Sequence, residues 1–206
     1  MFKIKDKSFD IKHAYLDASI SGNELIFGLQ IKATGTDKHT EEDIEEEDMF
    51  YSEDEVSFNA EVLLKIKPHE INNWQEIVGK KIQWGDYPED EDEPHALLYL
   101  YEHEEVYNAD IEFKKIDEKI IVRIKATCNL YSSENYSHNL PLDIETEVQF
   151  FGILFGADAS EENCRKKTAP FLYLDNLKYV TNKYNVAVLI PVDSDVEKNI
   201  LVLGDY

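Results

Sequence analysis

Apolar and polar residues alternate with a period of two through most of this chain. That pattern places every second side chain on one face of a strand. It runs through Phe2–Lys5, Phe9–Ser19, Glu24–Thr34, Val56–Lys67, Ala96–Tyr101, Val106–Lys115, Lys119–Leu130 and Leu142–Phe155. Ser21-Gly22-Asn23 sits between two of these runs, so Phe9–Thr34 reads as a hairpin. Lys115-Ile116-Asp117-Glu118 joins the pair 106–115 and 119–130 in the same way, and Tyr131–Asn139 reads as a longer loop.

Helical signals are few. Pro68 leads into His69–Val78, with Ile71, Trp74 and Val78 on one face and Gly79 as a stop. Ser160-Glu161-Glu162 marks a second start. Phe171, Leu174, Leu177 and Val180 then recur every three residues, which predicts an amphipathic helix there. Val186–Val192 and Ile200–Leu203 read as short extended segments. The expected fold class is therefore α+β and β-rich: antiparallel curved sheet packed by one or two helices, with an additional N-terminal hairpin region and a short helix near 69–78. The 206 residues are expected to form a single domain. In it, 1–95 is a β-rich extension with acidic loops, and 96–206 is a sheet with a C-terminal helix.

Charge narrows the choice of partner. The chain carries 43 acids against 21 basic residues, a net −22. Ten of the acids lie in 41–55, among them Glu45 and Glu46, and six in 86–93, among them Asp90 and Asp92. Such a field repels nucleic acid and anionic lipid and attracts basic proteins. The same runs also read simply as solvated loops. No apolar run reaches the ~20 residues that a membrane helix requires, and the N-terminus alternates where a signal peptide is continuously apolar. The expected location is the cytoplasm, in keeping with two cysteines, Cys128 and Cys164.

Catalytic motifs are not found: no Gly-rich phosphate loop, no Gly-x-Ser-x-Gly, no His-Glu-x-x-His. His95 and His103 with Glu102, Glu104 and Glu105 can be drawn as a metal cluster, but exposed strand residues explain them better. No cofactor and no metal is expected, and the chain reads as a binding protein and not an enzyme.

From about Val106 the sequence resembles the SecB preprotein-export chaperone family. Val106–Phe113 with Ile120–Thr127 is similar to that family's central hairpin, and Glu147-Val148-Gln149-Phe150-Phe151-Gly152-Ile153 is similar to its Glu-Val-Gln-x-x-Gly-Ile strand. Cys164, Ala169–Tyr173 and Leu177–Thr181 fall where the family has its main helix, and Leu189–Asp193 where it has a Leu-x-Pro segment. The resemblance implies a chaperone for an export precursor or an unstable antitoxin, working as a dimer or tetramer. Apolar grooves would hold the client through Phe150, Phe151, Phe155, Tyr173, Leu177 and Tyr179, with Glu147, which matches a family acid, and Glu145, which replaces a family Leu, as acidic partner contacts. Because Phe150 and Phe151 face opposite ways, one of them is expected to need a client or subunit for cover. The alternative function is an acidic immunity protein or antitoxin that neutralises a basic toxin directly.

Overall fold

The computed structural model describes residues 1–35, 55–86, 95–100, 103–131, 136–182 and 185–193. It is a β-rich α+β fold with one α-helix among the described residues. Eleven strands form one sheet: β1 (Phe2–Ile4), β2 (Lys7–Ser21), β3 (Glu24–Gly35), β4 (Glu55–Ile66), β5 (Lys81–Trp84), β6 (Leu97–Tyr99), β7 (His103–Ile116), β8 (Lys119–Tyr131), β9 (Tyr136–Ala157), β10 (Leu177–Thr181) and β11 (Val186–Pro191). Their hydrogen-bonded order is β1-β2-β3-β4-β6-β7-β8-β9-β11-β10, with β5 on β7. Every pairing with a recorded register is antiparallel except β2 with β9.

Two compact units emerge. One comprises Met1–Ala14, Leu29–Glu61 and Val78–Val148, the other Tyr15–Gly28, Val62–Ile77 and Gln149–Tyr206. Each draws on residues from both sides of position 95.

In the first unit β1 bonds β2 through Phe2↔Phe9 and β9 through Phe2↔Ile144, which closes the pairing order into a ring. Alternation decides what is inside. Ile111, Phe113, Val122, Ile124 and Ile144 are buried, while most of their strand neighbours, such as Asp110, Lys114, Arg123 and Lys125, are charged and exposed. On that outer face Arg123 and Lys119 of β8 pair across to Glu145 and Glu147 of β9, while Lys114 and Glu112 pair along β7. Such cross-strand ion pairs hold register more than they stabilise, at about 0–1 kcal/mol each. The expected loop at 131–139 is much shorter. β8 continues to Tyr131 and β9 starts at Tyr136, while Asn129 Oδ1 accepts the Asn139 N–H at 3.0 Å.

The second unit holds α1 (Glu161–Thr168) and the two corrections to the helical reading. Ser160 caps α1 by accepting the Asn163 N–H, as the Ser-Glu-Glu start predicts. The helix then stops. Phe171 and Leu172 both donate to the Thr168 carbonyl, a 3-10 turn covers Leu174–Asn176, and Leu177 enters β10. Thus Phe171, Leu174, Leu177 and Val180 share no helix. Tyr179, Val180 and Thr181 prefer a strand and pair with β11, and Asn182 accepts the Asn185 N–H on its carbonyl and the Val186 N–H on Oδ1, at 3.0 and 2.9 Å.

The helix expected over His69–Val78 shrinks to a 3-10 turn at Trp74–Ile77. Asn73 Oδ1 accepts the Gln75 N–H at 3.0 Å and Glu76 Oε1 accepts the Asn72 N–H at 3.2 Å. Side chains that bond nearby backbone in this way compete with an α-helix. The segment is then tied down by His69 N–H to the Pro170 carbonyl and Tyr173 N–H to the Asn72 carbonyl, both 2.8 Å.

At Gly152 β9 carries φ +138°, and a Cβ there would stand 2.6 Å from the Leu189 carbonyl oxygen. Gly152→Ala is expected to lower stability by about 3 kcal/mol, from backbone strain plus the clash with β11. Urea denaturation of the two proteins checks this; a loss under ~1 kcal/mol would show that β11 can move away freely.

Candidate functional site

Phe150 and Phe151 are both buried, each 3% exposed, and each is covered by the chain itself. Phe150 stacks on Trp74, with centroids 4.9 Å apart and planes 19° apart, and meets Phe27 at 6.1 Å. Phe151 meets Tyr15 edge-on at 5.9 Å and packs with Val188 and Ile190. The expectation that one of the two needs an outside partner is therefore corrected. The Trp74 turn covers one face and β11 the other.

Covering Phe150 with a turn instead of a helix leaves a cleft of about 560 Å³ in the second unit. This is within the ~300–1,000 Å³ usual for ligand sites. Phe150, Trp74, Leu172, Leu177 and Pro191 supply apolar wall. Asn72, Asn73, Gln75, Gln149, Asn176 and Asp193 also line it. Tyr173 and Val192 also line it and are 66% and 47% exposed. The wall by Asn176 is pinned, since its carbonyl accepts the Val192 N–H at 3.0 Å.

Of the six client-binding candidates, the cleft brings together Phe150, Tyr173 and Leu177. Phe151, Phe155 and Tyr179 do not line it. Phe155 is half-buried, and the half-buried Tyr179 donates its hydroxyl to the Ala159 carbonyl at 2.9 Å. The acidic candidates Glu145 and Glu147 already hold Arg123 and Lys119. Glu45, Glu46, Asp90 and Asp92 lie outside the described residues. Sequence reasoning missed the amides, Trp74 as a site residue, and Asp193. The run Asn72-Asn73-Trp74-Gln75, four side chains able to bond or stack on one ligand, was the available signal.

Other reactive groups are accounted for. Burial pushes the Cys128 thiol from 9.0 to about 12, with the nearby Glu104 adding to it. Burial also raises Cys164, whose Sγ–H points to the Ala159 carbonyl at 3.9 Å. Neither forms a thiolate readily at neutral pH. His95 lies against Trp84 and His103 against Tyr99. Among the described residues no three His, Cys, Asp or Glu side chains gather to hold a metal. No described helix is long and apolar enough to cross a membrane.

The thiol carries a prediction. The folded chain holds Cys128 protonated up to about 12, whereas the unfolded chain releases its proton near 9.0. Stability is thus unaffected below pH 9 and falls as pH rises from 9 towards 12, by at most roughly 4 kcal/mol. Cys128→Ser should flatten that part of a denaturation-versus-pH curve; an unchanged slope would show that the thiol is not the group responsible.

Comparison with protein-family models, with curated proteins and with solved structures finds no match to this chain.

Proposed function

We propose that this protein works by binding polypeptide segments, as the SecB-like resemblance implies, and that the client segment docks in the cleft between Trp74, Phe150, Tyr173 and Leu177. The supporting observation is the pairing of chemistries in that cleft. Five Asn and Gln residues line the same space as stacked aromatics and aliphatic side chains. A polypeptide presents those two chemistries together: amide groups along its backbone and apolar side chains beside them. The exposed ring of Tyr173 at the mouth offers a large contact at small conformational cost. Leu172, Leu177 and Pro191 favour apolar side chains over a sugar, which stacks on flat rings. A net charge of −22 keeps a loaded holder of apolar segments in solution. The client is an export precursor or an unstable antitoxin.

The charge also favours a second reading, in which the acidic runs grip one folded basic toxin. The two differ in salt dependence. Binding in the cleft rests on apolar contact and changes little with salt, while acid-driven inhibition weakens steeply.

Apolar decapeptides titrated into the intact protein should bind at micromolar strength, read by calorimetry. Tyr173→Ser, at an exposed side chain, should leave the fold intact and weaken binding about tenfold, ~1.4 kcal/mol. Silence with every peptide, or binding of oligosaccharides titrated in parallel instead, would overturn the proposal.

A further inference from the structure

The last described residues sit on the wall of the cleft: Pro191, Val192 and Asp193 all line it. β11 ends at Pro191, and the backbone turns at Val192 and Asp193. That turn is held by the Val192 N–H, which donates to the Asn176 carbonyl at 3.0 Å. Residues 194–206 lie outside the described residues. In sequence, Ser194–Asn199 is polar apart from Val196, and Ile200-Leu201-Val202-Leu203 is the uninterrupted apolar run that follows. Six residues reach at most about 20 Å. The run is therefore tied close to the stacked rings of Trp74 and Phe150, which lie in the same cleft. Tyr173 and Val192 at that cleft are exposed, so it offers apolar surface that still lacks cover.

From this we infer that Ile200–Leu203 is the cleft's own occupant: without a client it folds back from Asp193 onto Trp74, Phe150 and Leu177, and a client binds by displacing it. The inference rests on the polypeptide reading and adds to it a form of self-regulation. A tether this short gives the run an effective concentration on the order of millimolar. Weak intrinsic affinity is then enough to fill the cleft most of the time. An occupant present in about four of every five molecules raises the apparent client Kd about fivefold. Free protein molecules thereby keep their exposed aromatic surface from meeting one another. A client longer than four residues covers more of the cleft than the run does, and so replaces it.

Apolar decapeptides would be titrated by calorimetry into the intact protein and into the double variant Leu201→Ser with Leu203→Ser, which removes apolar surface and leaves the charge unchanged. The variant should bind them about fivefold more tightly. A synthetic peptide of residues 198–206 should bind the variant and compete there with the decapeptide. The affinity gain should be independent of protein concentration, because the occupant is tethered to its own cleft. Should the double variant misfold, Leu201→Ser alone serves in its place, with a smaller gain expected. Equal decapeptide affinity in variant and wild type, or a 198–206 peptide that does not compete, would reject the occupant and leave the polypeptide reading standing. A gain that grows with protein concentration would also reject it, assigning the run to the cleft of a second copy. Failure of the decapeptides to bind either protein would remove the polypeptide reading and this inference together.

Discussion

Two adjacent phenylalanines in a strand must be covered from opposite sides, and much of the second unit follows from meeting that demand at Phe150 and Phe151. Burial of each is worth about 1.5–3 kcal/mol, and truncation to Ala would cost about 3–5. The cover comes from different sources. On one side β11 brings Val188 and Ile190, and Tyr15 of β2 adds its ring. Strand pairing can come this close only because Gly152 has no side chain to strike the Leu189 carbonyl. On the other side a short turn lays Trp74 flat on Phe150. A turn shields less than a helix does, and the uncovered remainder is the cleft.

Period-two alternation identifies most of the strands, because a sheet with one buried face writes itself into the sequence. The hairpin around Ser21–Asn23 and the β7–β8 pair sit where that pattern puts them. β5 escapes notice, since four residues with two half-buried side chains give too short a pattern. The helical readings fail for an identifiable reason. Spacing of three at Phe171, Leu174 and Leu177 also arises when turns lead into a strand. At 69–78, Asn72 and Asn73 form local bonds that a helix would have to break. Long-range facts, such as the parallel contact of β2 with β9 and the positive φ at Gly152, have no local signature.

The candidate site divides in the same way. Phe150, Tyr173 and Leu177 stand out in sequence as large apolar residues, and the fold gathers them. Phe151 has the same local character but is enclosed by β11, which only the pairing register reveals. The amides carry no motif; they matter because separate segments, Asn72–Gln75, Gln149 and Asn176, converge on one space. Charge behaves likewise. Glu145 and Glu147 look like open acids in sequence, yet β8 brings a cation to each, Arg123 directly across from Glu145 and Lys119 diagonally to Glu147.

Hydrogen exchange of the intact protein, followed by mass spectrometry with and without a saturating unfolded client, addresses the central claim most directly. The cleft account predicts slower exchange in the segments around Asn72–Gln75 and Leu172–Leu177, with the outer face of β7–β8 unchanged. Protection confined to other segments, with those two exchanging as before, would contradict it.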